Sequence, residues 1–172
     1  MDVTIRECTP GDAEALSRVG QATFLETFAD VLPTADIFAH CEGEHGRLRY
    51  AQWLGKPGYG FWIAEVAATG APVGYIMVAP ADLPIPTADS DMELKRIYLL
   101  HRFQGSGLGV RLMETAVQAA RGAGAKRLLL GVYAGNARAI AFYARHDFAT
   151  AGVRKFQVGA NTYDDLVLAR EL

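Results

Sequence analysis

The sequence predicts one mixed α/β domain over residues 1–172, with the element order β-α-α-α-β-β-β-α-β-α-β-β. Three observations predict it. Some segments alternate apolar and polar residues, others repeat apolar residues at three and four, and the two patterns interleave along the chain. At 172 residues and 51% apolar composition, the chain can bury a sizeable core. No internal repeat, low-complexity tract or linker divides it.

Val3 to Cys8 alternates and reads as a strand. Thr9-Pro10-Gly11-Asp12 then opens a helix whose apolar face carries Ala15, Leu16, Val19, Ala22 and Phe24. Shorter helices follow over Thr34 to Cys41 and Gly46 to Leu54, the second ended by Gly55-Lys56-Pro57-Gly58. Phe61 to Ala67 and Pro72 to Val78 form a hairpin around Ala68-Thr69-Gly70-Ala71. Ala79 to Asp91 has three prolines and no apolar period, so it is a loop. Met92 to Leu100 reads as a strand, and Leu94 to Leu100 as a central strand of the sheet. Gly107 to Ala123 is a helix with apolar residues at Leu108, Leu112, Ala116, Ala119 and Ala120. Lys126 to Tyr133 is a strand and Asn136 to His146 the last helix. Phe148 to Phe156 and Tyr163 to Leu168 make a terminal hairpin around Gly159-Ala160-Asn161.

Charge excludes one class of partner. Seventeen basic against nineteen acidic residues give a net charge of −2, without the basic excess of a nucleic-acid footprint. Cys8 and Cys41 lack metal-ligand spacing and read as reduced thiols, so no metal is expected. No apolar run reaches membrane-spanning length, and the start of the chain lacks the basic and apolar regions of a signal peptide. A cytoplasmic protein without membrane contact is the expectation.

The chemistry concentrates in Gln104-Gly105-Ser106-Gly107-Leu108-Gly109, between a strand and a long helix. A glycine loop at a helix start leaves backbone N–H groups free, and the helix dipole favours negative charge there. This is a place to hold a phosphate or pyrophosphate, or else a helix-start turn that binds nothing. A P-loop needs Gly-x-x-x-x-Gly-Lys-Ser/Thr, which is missing. A dinucleotide fingerprint fails in both frames, because Val110 or Leu112 stands where the third glycine belongs. What remains is Gln-x-x-Gly-x-Gly.

Val132 to Phe148 resembles the second half of the acetyl-coenzyme A site in the GNAT superfamily of N-acetyltransferases. That pattern is a strand, here 128–133, an Asn at Asn136, a helix carrying Phe142-Tyr143, and an aromatic, Phe148, opening the next strand. Asp147 stands where that family has glycine. The likeness spans Val3 to Leu172 and is strongest from Glu93 to Phe148. More narrowly, Thr23 to Phe28, Glu93 to Tyr98, Leu130-Gly131-Val132 and Asp164 to Leu168 look like the bacterial PaiA-type spermidine/spermine acetyltransferases.

The resemblance implies the GNAT fold: a central, mostly antiparallel sheet of about seven strands, splayed between the fourth and fifth, with helices on both faces. It implies an enzyme that moves an acetyl group from its cosubstrate acetyl-coenzyme A to a primary amine by direct attack. A small amine, a polyamine above all, is the favoured acceptor. A protein N-terminus or lysine is the alternative within that class, and a non-catalytic acyl-coenzyme A sensor is the alternative outside it. A homodimer through an exposed terminal strand fits the same picture.

Residue by residue, the resemblance assigns cofactor contacts to Ile97, Tyr98 and Leu99, to Gln104, Gly105, Ser106, Gly107, Leu108, Gly109 and Val110, and to Asn136 and Tyr143. The Ile97 N–H is the candidate for polarising the thioester carbonyl, although these strand residues could equally pair with other strands. Asn136 is also a favoured helix N-cap. Tyr143 is the candidate proton donor to the leaving thiolate, with an aromatic core residue as the plainer reading. His101 and Arg102 near the loop read as surface residues. An amine of pKa about 10.4 must lose a proton before attack. Glu93 is the candidate base, and Glu26 and Asp30 are candidates to bind a cationic acceptor.

Overall fold

The computed structural model describes residues 2–172. Its strands are β1 (Val3–Glu7), β2 (Gly60–Val66), β3 (Pro72–Pro80), β4 (Met92–Leu99), β5 (Arg127–Tyr133), β6 (Ala149–Val158) and β7 (Asn161–Glu171). They form one sheet in the order β1-β2-β3-β4-β5-β7-β6. Every neighbouring pair is antiparallel except β4 and β5, which run parallel. The helices are α1 (Ala13–Phe28), α2 (Thr34–Gly43), α3 (Arg47–Leu54), α4 (Leu108–Gly122) and α5 (Ala137–Ala144). Every predicted element is present with ends within a few residues, and the mixed sheet with helices on both faces is the GNAT fold.

Strand alternation builds two cores. Ile76 and Val78 of β3 face one side, where Leu108, Leu112, Met113 and Ala116 of α4 complete the cluster. Tyr75 and Met77 face the other, against Leu16 and Val19 of α1 and Tyr50 of α3. The amphipathic pattern of α4 reads cleanly because its partners are all apolar. That of α1 does not. Ala22 is exposed and Ala15 only half-buried, whereas Ser17, Gly20 and Thr23 are buried. The face turned inward meets polar groups: Ser17 Oγ donates to the His45 carbonyl at 2.6 Å, and Thr23 Oγ1 donates back to the Val19 carbonyl at 2.7 Å. The observed face is therefore rotated from the expected apolar stripe.

The ends of the helices that frame the cleft are set locally. Asp12 starts α1, its Oδ2 accepting from the Thr9 amide at 2.6 Å while Arg6 of β1 grips both its oxygens. Asp147, three residues past the end of α5, takes the left-handed conformation at φ 64°, and the Phe148 amide closes back onto the Tyr143 carbonyl at 3.2 Å. The aspartate thus does the turning that a glycine does in the resembled pattern.

Candidate active site

β4 and β5 pair over only two positions, Met92 with Leu128 and Glu93 with Leu129. Beyond them the strands part, and a cleft of about 710 Å³ opens between them. A β-bulge in β4 contributes to the parting. Met77 pairs with Arg96 and Val78 with Leu94, so Lys95 is the extra residue. An extra residue bends its strand and raises the local twist, and this one falls two residues after the last β4–β5 pair.

The parted stretch of β4 offers its backbone to the cleft. The Leu100 amide donates to the Val73 carbonyl of β3 at 2.9 Å. Alternation then turns the main-chain groups of Tyr98 toward β3 and those of Ile97 and Leu99 toward the gap. Of these, the Leu99 carbonyl is already taken by Gln104 Nε2 at 3.0 Å. The Gln104 side chain is therefore a strut between loop and strand, and the Ile97 N–H is left facing the gap.

Below this strand end lies the glycine loop. Gly105 and Gly107 hold φ of 80° and 83°, and Gly107 is the N-cap of α4. These left-handed turns are open to glycine and strained for other residues. They leave the amides of 105–110 out of the turn hydrogen bonds, while Ser106 Oγ ties the turn shut on the Phe103 carbonyl at 2.6 Å. The first amides of α4 have no partner within the helix and carry the positive end of its dipole. Gly105, Gly107, Gly109 and Val110 line the cleft. The Ser106 and Leu108 side chains do not, since Leu108 is in the core and Ser106 is bound to its own turn.

On the β5 side, Asn136 Oδ1 accepts from the Ala139 amide at 3.1 Å, so it does cap α5, and it also lines the cleft. Tyr143, on the buried side of α5, lines the cleft too. Burial pushes its phenol above the ordinary tyrosine range, with Tyr98 adding to the effect. Two cations that the sequence reading overlooked, Arg138 and Arg145, stand at the rim. A cation in the first turn of a helix is disfavoured by the dipole, so Arg138, two residues after the Asn136 cap, was the available signal for an anion nearby.

The acids divide. Glu93 lies outside the cleft: its Oε2 accepts from the Asp82 amide at 3.1 Å and from Lys95 Nζ at 2.9 Å, and the residue is buried beneath the 81–91 loop. This corrects its expected role: Glu93 is not among the residues that line the cleft, and its Oε2 is committed to the loop and to Lys95. Glu26 is also absent from the lining, its Oε2 accepting from the His101 amide at 2.9 Å and so fastening α1 to the turn after β4. Asp30, past the end of α1, is the one carboxylate among the lining residues.

Behind β4 sits a polar network that no local pattern announced. Arg96 lines the cleft, and its Nη1 donates to the Glu44 carbonyl and to the Tyr50 hydroxyl, each at 2.9 Å. The Tyr50 hydroxyl also meets Tyr75 at 2.7 Å and His45 Nδ1 at 2.9 Å. Tyr98, whose phenol is pushed up to about 12 by burial, stands between this network and the gap. Among the described residues, no group of three or more His, Cys, Asp or Glu side chains is placed to hold a metal, and no helix is long and apolar enough to cross a membrane.

Comparison with known proteins agrees with this geometry. The model of the acetyltransferase (GNAT) family matches residues 25–148. An uncharacterized N-acetyltransferase of Mycobacterium tuberculosis is 33% identical over 161 residues, 94% of this chain and 98% of that one. The crystal structure of the PaiA N-acetyltransferase of Thermoplasma acidophilum, in complex with coenzyme A, superposes with a TM-score of 0.81 over the full length of both chains at 17% identity, a likeness of fold. The ribosomal-protein-alanine N-acetyltransferase of Brucella melitensis superposes with a TM-score of 0.71 at 26% identity, covering 98% of this chain and 99% of that one.

Proposed function

This chain belongs to the GNAT family of acetyl-coenzyme A-dependent N-acetyltransferases, and on that premise we propose that its acceptor is a small primary amine that attacks the thioester directly. The carrying observation is the unzipped pair of strands, with the Ile97 N–H facing the gap and a cradle of free amides at its end. The residues present suit acetyl-coenzyme A. The amides of 105–110 would take the pyrophosphate, Arg138 and Arg145 would add charge at the rim, and the pantetheine arm would add to β4 as a short strand.

Acetyl-coenzyme A supplies the acetyl group as a thioester, whose carbon–sulfur bond breaks as the amine nitrogen bonds to the carbonyl carbon. The Ile97 N–H donates to the carbonyl oxygen as charge develops there. The Tyr143 hydroxyl donates to the departing sulfur. The acceptor's proton leaves to water through the open mouth beside Asp30, since Glu93 is out of reach. No buried base is needed when the cleft is wet, and the rate then follows the fraction of free amine.

Within this class a polyamine is the first acceptor to try. Asp30 offers a carboxylate, and the rings of Phe28 and Tyr133, 6.4 Å apart edge to face, offer faces to a second ammonium. The narrower sequence likeness to PaiA-type enzymes favours it as well. A protein α-amine is the competing acceptor, favoured by the fold shared with an enzyme named for ribosomal-protein alanine. A cytoplasmic setting, where acetyl-coenzyme A is available, belongs to the same reading.

The test is thiol release from acetyl-coenzyme A over a panel of amines and peptides, with melting followed in parallel. Coenzyme A at 100 times its dissociation constant is expected to stabilise the protein by about 2.7 kcal/mol, and spermidine to release thiol. Stabilisation without turnover on any amine would leave an acyl-coenzyme A sensor instead. Gly107→Ala checks the cradle: holding alanine at φ 83° costs about 1–2 kcal/mol, so KM for acetyl-coenzyme A should rise about 5- to 30-fold with kcat little changed. An unaltered KM would mean the loop does not carry the pyrophosphate.

A further inference from the structure

The acceptor side of the cleft is walled by parts that the reaction itself does not use. After α1 the chain passes Asp30 and Val31 at the cleft, buries Leu32 and enters α2. There Asp36, 4% exposed, reaches the tip of the β6–β7 hairpin more than a hundred residues away. Its Oδ1 accepts from the Ala160 amide at 3.0 Å and its Oδ2 from Asn161 Nδ2 at 2.5 Å. Both carboxylate oxygens are thus spent on one turn. Gly159, at φ 56°, packs so closely on Asp36 that any Cβ there would collide with Oδ1. The tip is also stiffened from within, Gln157 Nε2 donating to the Gly159 carbonyl at 2.8 Å and Thr162 Oγ1 to Gln157 Oε1 at 2.7 Å.

Beneath this clasp lies a small core of Phe24, Leu32, Ile37 and Val158, with Phe28 and Tyr98 packed against it. Phe28 and Tyr98 also line the cleft. The wall made by α2 and the hairpin therefore reaches the cleft only through Phe28 and Tyr98, which it supports from behind. Across the gap the Phe28 ring meets Tyr133, and Tyr133 meets Tyr163 of β7 at 6.2 Å between ring centres. A polypeptide acceptor needs room for the chain that continues beyond its amine. A small amine needs only an end.

We propose that Asp36 is a latch that sets acceptor size: by tying α2 to the β6–β7 tip it fixes the wall on the acceptor side of the cleft, leaving beside Asp30 a mouth that admits small amines and excludes polypeptides. The proposal rests on the acetyltransferase reading and goes further by choosing between its two acceptor classes. Asp36 touches neither substrate and acts by positioning the wall.

The experiment measures thiol release by the full chain with spermidine and with an unblocked hexapeptide, for the wild type, Asp36→Ala and Asn161→Ala. The wild type is expected to favour the small amine by about 100-fold or more. Asp36→Ala should raise turnover of the peptide relative to the amine at least tenfold, and Asn161→Ala, which removes one of the two bonds, should fall between. Stabilisation by coenzyme A should be equal in all three, showing that the variants are folded. Amide hydrogen exchange over 156–163 reads the latch without turnover and should quicken in Asp36→Ala. A wild type that acetylates the peptide as well as the amine would overturn the proposal. So would a folded Asp36→Ala with an unchanged ratio, or with unchanged exchange at the tip. Failure of the underlying reading looks different: no thiol release with any acceptor, whatever the exchange data show.

Discussion

Tyr143→Phe is expected to lower kcat about 10- to 150-fold while leaving KM for acetyl-coenzyme A nearly unchanged. The range follows from what the hydroxyl can do. A coenzyme thiol resembles a cysteine thiol, pKa about 8.5, against about 10 for an ordinary tyrosine. Burial holds the Tyr143 phenol higher still. In the proposed reaction complete proton transfer to the departing sulfur would therefore be uphill, and the hydroxyl would act by donating a hydrogen bond as negative charge gathers there. Such a charge-assisted bond is worth roughly 1.5–3 kcal/mol, which sets the fold-change. The bond is made only as the reaction proceeds, so kcat falls and binding does not.

The same burial shapes the pH profile. A phenol held above its usual range stays protonated through pH 10, so the rate should climb with the fraction of free amine and show no descending limb from tyrosinate. Burial and the neighbouring Tyr98, not a hydrogen bond among the described residues, set the state of this hydroxyl, so its loss should not lower the melting temperature. A variant that keeps its full kcat would return Tyr143 to the role of a core aromatic. One that loses stability as well as rate would make the kinetic loss a packing effect.

How much of this was legible in the chain depended on how far each residue's partner lies along it. The glycine loop could be read because its chemistry is local: two left-handed turns, a helix start and the amides they free are all set within six residues. Asn136 was legible as a cap for the same reason, and Phe142-Tyr143 through the pattern they complete. Glu93 and Glu26 were misplaced because a carboxylate on a strand or helix gives no sign of what it will meet. One found the Lys95 ammonium and the Asp82 amide, the other the amide of His101. The inward face of α1 was misread for a related reason. Its partners are the polar groups of His45 and Tyr50, so small and hydroxylated residues were buried where an apolar stripe was expected. Arg96, Tyr50, Tyr75 and His45 come from β4, α3, β3 and the turn before α3, and only the folded sheet brings them together.

That last cluster, with His40 beside it, is expected to make the fold acid-labile well above the range where carboxylates titrate. His45 is fully buried with no partner at Nε2 among the described residues, and burial, with Arg96 nearby, holds its pKa down to about 2. His40, stacked on Phe24 at 4.3 Å and edge to face with His45 at 5.3 Å, is held down to about 4, again by burial first and Arg96 second. A charged imidazole at either site would sit beside the Arg96 cation among Phe24, Tyr50, Tyr75 and Tyr98, and Glu44, the carboxylate near His40, already pairs with Arg96. Both folded values lie below the unfolded value of 6.5. The unfolded chain therefore binds the extra protons first, and stability drains away as pH falls below 6.5. Each histidine contributes a slope of up to about 1.4 kcal/mol per pH unit, so by pH 4 the pair removes up to about 6 kcal/mol, comparable with the whole stability of many domains. Asp12, lowered to about 2 by Arg6, adds its loss only below pH 4, and Asp165, raised by burial, works in the opposite sense. Urea titrations between pH 7 and 4.5 should show the fall, and His40→Leu should roughly halve its slope; a midpoint that does not move over that interval would rule it out. Because His40 also lies edge-on to Phe156 of β6 at 6.1 Å, the wall between α2 and the hairpin is built partly on a ring that must stay neutral, and mild acid should loosen the acceptor side before it disturbs the amide cradle on α4.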